Sequence, residues 1–303
     1  MPNNILIIGN GFDLDLGLKT KYSDFAKSDF WPNVEGEKSL LCQYLNQKKD
    51  KNDWFDIEYE LLRFAGAKTL VSRRTPELDV AFFEKLKEQL CVYITEQQYS
   101  EIRKDSVAAL VLKSVISNGF FNSIYSFNYT DLSVFATALN LSIDTQCKYI
   151  HGKVLDKSII LGVDESALAP GYDLLHKTMS PYYRSHNIFN DLNNANEVVI
   201  FGLCFGSIDY TYFDRFFKNQ GGRDEIEVNK KKNITIFTKD EKSRITILNR
   251  LKEMGINIQN LYAQSNFQII RTAEEQDKNL LNVFCDRLER YSYEEIGASV
   301  FVG

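Results

Sequence analysis

The chain has 303 residues, 44% hydrophobic and 25% charged with a formal net charge of −5, the composition of a folded protein with a substantial core. The acidic balance offers no global basic field, so nucleic acid is an unlikely partner. Five scattered cysteines build neither a disulfide framework nor a zinc site, Met1 to Asn4 carry no basic leader, and no apolar run approaches a membrane span, so a cytoplasmic setting without membrane attachment is expected.

The short apolar run Ile5–Ile8 predicts a buried strand, and G-N-G-F-D follows it at once. Gly9 and Gly11 allow a sharp turn and a close backbone approach. Amides left open where a turn enters a helix attract anions, which makes Gly9, Asn10, Gly11, Phe12 and Asp13 candidate phosphate-binding residues. The dinucleotide fingerprint G-x-G-x-x-G is not met, since Leu14 stands at its third glycine and the next glycine is Gly17. A tight strand-to-helix turn with no ligand gives the same pattern.

Between Phe30 and Asn118 no comparable strand is expected. Residues 37–48, 53–68 and 77–117 show helical spacing, which reads as a helical insertion at about 37–117 lying over the sheet of one domain spanning 1–303. W-F-D-I-E at 54–58 sets Asp56 and Glu58 two residues apart. On a helix they point in different directions, so they make a poor acid/base pair, although one of them could approach the sheet edge.

Ser123–Phe127 predicts the next strand, and S-F-N-Y-T-D at 126–131 leads from it into a helical pattern. Its polar groups should sit at the carboxyl edge, where ligands bind in open α/β sheets. Asn128 offers a donor and an acceptor for a ribose hydroxyl or an attacking water. Equally, Asn128, Thr130 or Asp131 could cap the following helix. Strand Lys148–Ile150 ends at His151 and Gly152. An imidazole there can act as a base near neutral pH, or it can be a half-buried histidine bonded to backbone. Ile159–Leu161 reads as a further strand. Residues 163–186 read as a loop near the site, with His176 and His186 at the surface.

Strand Val198–Phe201 opens F-G-L-C-F-G-S-I-D at 201–209. Gly202 and Gly206 permit close approach, Ser207 and Asp209 offer polar groups at a helix start, and Asp209 could instead cap that helix. Cys204 reads as a packed core thiol. Ile234–Phe237 and Phe267–Ile270 are the last strands, and T-K-D at 238–240 reads most simply as helix initiation. Strands this continuously apolar are covered on both faces, so the expected fold class is α/β, a Rossmann-like, mainly parallel sheet with an inserted helical section.

G-N-G-F-D-L-D-L-G-L-K-T-K-Y-S-D-F, W-F-D-I-E, S-F-N-Y-T-D, H-G and F-G-L-C-F-G-S-I-D, in this order and over a span reaching roughly residue 255, resemble the AbiH family of bacterial abortive-infection proteins. That family is similar in turn to the sirtuin-like NAD-binding superfamily. Gly9, Gly11 and Gly17 match the spacing of a sirtuin G-A-G-x-S-x-x-x-G-I-P turn. Ser126 to Thr130 correspond to T-Q-N-x-D, and His151 and Gly152 to the H-G pair that carries the base. The resemblance implies NAD as substrate or ligand, with no metal. It also implies cleavage of the nicotinamide–ribose bond, with Asn128 orienting water or ribose and His151 taking a proton. Ser126, Gly202, Ser207 and Asp209 would help to bind the dinucleotide. A phage-derived trigger and an oligomeric state are compatible with such a role. The absence of paired C-x-x-C sequences argues against protein deacetylation. Asp13 replaces a small hydroxyl residue, and it could repel a dinucleotide, bind its ribose or cap the following helix. The alternative from another class is a catalytically silent nucleotide-binding sensor or assembly module.

Overall fold

The computed structural model describes residues 3–32, 38–49, 55–66, 75–117, 119, 121–164, 167–206, 209–221 and 231–300, the side chains of 3 and 291–300 aside. Six parallel strands form one sheet in the order β3-β2-β1-β4-β5-β6. They are β1 (Asn3–Ile8), β2 (Phe121–Ser126), β3 (Gln146–Tyr149), β4 (Ala195–Phe201), β5 (Asn233–Thr238) and β6 (Asn266–Arg271). This is a Rossmann-like order, and the chain reverses its winding direction between β1 and β4. Ile8 is in register with both Ser126 and Phe201, so β1, β2 and β4 end level and deliver their following loops to one edge of the sheet.

Side chains alternate between faces along each strand. Ile5, Ile7, Val198, Ile200, Ile234 and Ile236 pack beneath α8 (Ile188–Asn194), α9 (Tyr210–Gly221), α10 (Glu241–Glu253) and α11 (Ile258–Gln264). Leu6, Ile8, Ile124, Val199, Phe201 and Phe237 pack beneath α1 (Asn10–Asp15), α6 (Val107–Ser117), α7 (Leu132–Ala138) and α12 (Lys278–Val300). Both faces are buried, which is why the strands read as unbroken apolar runs. Aromatic rings pack together in these interiors, as in the Phe12, Phe201, Phe237 and Phe284 series.

A third core joins α2 (Tyr22–Ala26), α3 (Leu40–Lys49), α4 (Ile57–Ala65) and α5 (Pro76–Gln98) to the loop segment that follows β3. Two expectations change here. The 77–117 pattern is two helices, because Arg103 turns the chain between them, its amide donating to the Leu16 carbonyl at 2.8 Å and its guanidinium to the Asp15 carbonyl at 2.5 Å. The second of them, α6, belongs to the sheet face and is capped by the Asp15 carboxylate, which accepts from the Ala108 amide at 2.8 Å. Ile159–Leu161 is not a strand. The Ile159 and Leu161 side chains are buried against the inserted helices, and the Ile160 amide donates to the His151 carbonyl at 2.8 Å instead of to a ladder partner. A short apolar run reports burial, and here the burying surface is helical. Residues 37, 50–54 and 67–74 of the expected helical section lie outside the described residues.

Candidate functional site

The two glycine turns after β1 and β4 are built against each other. The Gly9 amide donates to the Phe201 carbonyl and the Gly11 amide to the Gly202 carbonyl, both at 2.9 Å, and the Phe12 amide donates to the Gly9 carbonyl at 2.8 Å. A Cβ on Gly11 would lie 2.5 Å from the Gly202 Cα, and Gly202 itself sits at φ +69°. These glycines are therefore required by loop packing. The expected phosphate cradle is altered accordingly, since the amides of Gly9, Gly11 and Phe12 are already bonded within the protein. The Phe12 ring is buried edge-on to Phe201, while Asn10 is exposed and its Oδ1 accepts from the Thr20 hydroxyl at 2.5 Å.

Asp13 lies buried beneath this turn. Its carboxylate accepts from Asn128 Nδ2 at 2.7 Å and from the Thr130 hydroxyl at 2.9 Å. It makes no helix cap. Burial pushes its pKa up to about 7, against the lowering effect of those two donors. Asn128 Nδ2 also donates to the Gly9 carbonyl at 3.1 Å, so both amide hydrogens are committed. Asn128 Oδ1 is buried and has no hydrogen-bond partner among the described residues, an arrangement that costs about 1–3 kcal/mol. Ser126 is fully buried, and its hydroxyl bonds the Asn128 main chain at 3.2 and 3.3 Å. The capping alternative goes to Asp131, whose carboxylate accepts from the Ser133 amide at 2.9 Å at the start of α7 and pairs with Lys153 at 2.6 Å.

His151 is buried at the end of β3, edge-on to Phe127, and its Nε2 is 3.8 Å from Asp209 Oδ1. That separation is too long for a hydrogen bond but close for an electrostatic contact. It brings together the loops after β3 and β4. Gly152 fixes the turn beneath the imidazole at φ +69°, where a Cβ would fall 2.0 Å from the Ser158 carbonyl oxygen. Burial, with the Lys177 charge adding to it, lowers the His151 pKa to about 4, and Asp209 offsets only part of that. The ring is therefore neutral at physiological pH.

Lys177 makes a buried ion pair in this region. It is 1% exposed, and its Nζ lies 3.1 and 3.2 Å from the two Glu58 carboxylate oxygens and 4.0 Å from Asp164. Burial lifts Glu58 to a pKa of about 7 even with Lys177 beside it. Of the two W-F-D-I-E carboxylates, Glu58 is thus the one that pairs with a cation of the loop after β3. Asp56 instead caps α4, accepting from the Tyr59 amide at 3.2 Å, although burial and the Asp209 charge also raise its pKa. The Tyr22 and Tyr129 hydroxyls meet at 3.2 Å, and both are held well above their ordinary pKa by burial and by Glu58.

The family described as Bacteriophage abortive infection AbiH matches residues 5–229. The chain belongs to that family. No curated protein matches it. In this AbiH protein the matched span runs from β1 through α9 and so contains both glycine turns, the inserted helices and Lys177.

Lys177, Tyr22 and Tyr129 were not singled out by sequence reasoning. A lysine in L-L-H-K-T-M carries no local signal, because its burial is created by a glutamate 119 positions away. Ser207 lies outside the described residues. Cys204 is a correction, since it is exposed. Phe205 adopts φ +51° and turns its ring inward onto Phe213 and Phe217, which leaves the preceding side chain outside the core. His176 and His186 are partly buried rather than at the surface. Among the described residues no helix is long and apolar enough to cross a membrane, and no group of three or more His, Cys, Asp or Glu is arranged to hold a metal ion.

The raised carboxyls set a pH dependence. Asp13, Glu58 and Glu197 each have a pKa pushed up to about 7, first by burial. Folded protein therefore keeps protons that the unfolded chain releases near pH 4, and the stability they contribute is lost as pH rises through about 7. His151 works in the opposite sense, but only below its unfolded pKa of about 6.5. The melting temperature of the AbiH protein is expected to fall from pH 6.5 to 7.5, and Asp13→Asn should flatten that slope. A melting temperature that rises over this interval would contradict the assignment.

Proposed function

We propose that this AbiH protein binds NAD in the crevice at the reversal of strand order and hydrolyses its nicotinamide–ribose bond, depleting NAD during phage infection. The observation that carries this reading is the placement, after neighbouring strands of one sheet, of a neutral His151 that approaches Asp209 to 3.8 Å and of an Asn128 with an open acceptor. The spacing of Gly9, Gly11 and Gly17 and the N-x-T and H-G elements, similar to those of sirtuin-like proteins, support it further. A ribose hydroxyl or water hydrogen suits the buried Asn128 Oδ1. His151 accepts the proton, and Asp209 favours the imidazolium as it forms. The reading includes a single domain, a cytoplasmic setting and a phage-derived trigger, and it asks for no metal.

The test is His151→Ala. Nicotinamide release should fall at least about 10²-fold, while calorimetric NAD binding by the folded variant stays close to that of the parent protein. Unchanged turnover would remove His151 as the base. One observation favours a second reading, a nucleotide-binding module without turnover: His151, with a pKa of about 4, is less basic than a base tuned for neutral pH. Protein that binds NAD yet releases no nicotinamide in phage-challenged cells would establish that alternative.

A further inference from the structure

Asp13 and Asn128 form a device whose geometry is costly unless something uses it. The two oxygens of buried Asp13 are met by neutral donors, Asn128 Nδ2 at 2.7 Å and the Thr130 hydroxyl at 2.9 Å. Asn128 Nδ2 faces a second acceptor, the Gly9 carbonyl, at 3.1 Å. With two acceptors against the nitrogen, the amide has only one tolerable orientation, since reversal would press Oδ1 onto both of them. The Ser126 hydroxyl holds the Asn128 main chain at the same time. The result is a rigid amide whose oxygen is buried without a partner among the described residues. Helix capping does not explain it, because Asp131 caps α7. A structural role would be better served by a pair that satisfies every polar atom.

We propose that Asp13 is a positioning residue, locking the Asn128 amide so that Oδ1 is presented as a ready-made acceptor to a hydroxyl or water hydrogen of the bound substrate. This rests on the NAD-hydrolysing reading. Asp13 then neither meets the phosphates nor binds the ribose itself, and it acts through Asn128. An acceptor fixed before binding needs no reorganisation when the bond breaks.

Asp13→Asn keeps the volume and reverses the logic. Thr130 donates to the new amide oxygen and the new NH2 group faces Asn128 Nδ2, so that only the Gly9 carbonyl still holds the Asn128 amide and its fixed orientation is lost. Nicotinamide release and NAD content would be followed in phage-challenged cells carrying each full-length chain, with NAD calorimetry and melting on purified protein. Asp13→Asn should lower kcat by about 10- to 100-fold while KM, the calorimetric Kd and the melting temperature stay near those of the parent protein. An active parent protein with a fully active Asp13→Asn variant would overturn this inference alone, as would losses in which kcat, Kd and melting fall together. A parent protein that releases no nicotinamide in challenged cells would overturn the functional reading, and this inference with it.

Discussion

Lys177→Met is expected to lose about 3–5 kcal/mol of stability at pH 8, because it strips the cation from a buried pair and leaves Glu58 uncompensated. The side chain is 1% exposed and Glu58 is 8% exposed, so water cannot replace the lost partner. The pH dependence supplies the sign. Glu58 already has its pKa raised to about 7, and without Lys177 it rises further, so at pH 5.5 the carboxyl is protonated and the buried charge is gone. The loss should therefore shrink at pH 5.5. Adding Glu58→Gln to Lys177→Met should recover much of it at pH 8. Urea melts of the three variants at both pH values would check this. A loss below about 1 kcal/mol at pH 8, or one that does not change with pH, would show that the contact behaves as a surface pair. The same variant removes a charge that helps to keep His151 neutral, so the histidine pKa should move upward in any folded fraction.

Gly11→Val should destabilise by at least about 3 kcal/mol. Added atoms would meet the Gly202 Cα at 2.5 Å, the Gly202 carbonyl oxygen at 2.9 Å and its carbonyl carbon at 3.1 Å. All of these are backbone and cannot rotate away. Gly202 cannot yield readily, because the reciprocal Cβ would lie 2.4 Å from Gly11 and its φ is +69°. The bond from the Gly11 amide to the Gly202 carbonyl, 2.9 Å long, would break with the displacement. Gly206 is the control. Nothing lies within 4 Å of a Cβ there, so Gly206→Ala should shift stability by less than about 1 kcal/mol in either direction. Thermal melts of both variants decide the matter. A stable Gly11→Val protein would mean that the two loops separate easily, and the account of the crevice floor would fail. Weak NAD binding by Gly11→Val would not by itself diagnose a phosphate contact, since the turn is displaced as well.

The sequence by itself determined the α/β class, the sheet strands to within a few residues, the helical insertion and the family. Continuous apolar runs such as Ile5–Ile8 and Val198–Phe201 require cover on both faces, and G-N-G and F-G-L-C-F-G mark turns because only glycine tolerates such approach. Local pattern also located Asn128 and His151 just past strand ends and Asp209 at the start of the following helix, since a strand that stops in polar residues must leave them at the sheet edge. Tertiary structure alone decided what those residues touch. Asp13 had three open roles in the sequence, and its bond to Asn128 spans 115 positions. Glu58 and Lys177 meet across 119 positions, and neither carries a local mark of the other. Ile159–Leu161 looked like a strand because burial reads the same whether a sheet or a helical layer provides it. The glycine amides looked free for an anion because a one-dimensional pattern cannot show that the loop after β4 already occupies them. Periodicity and turn chemistry act over a few residues and are written in sequence; hydrogen bonds, burial and pKa shifts depend on which distant segments the fold packs together.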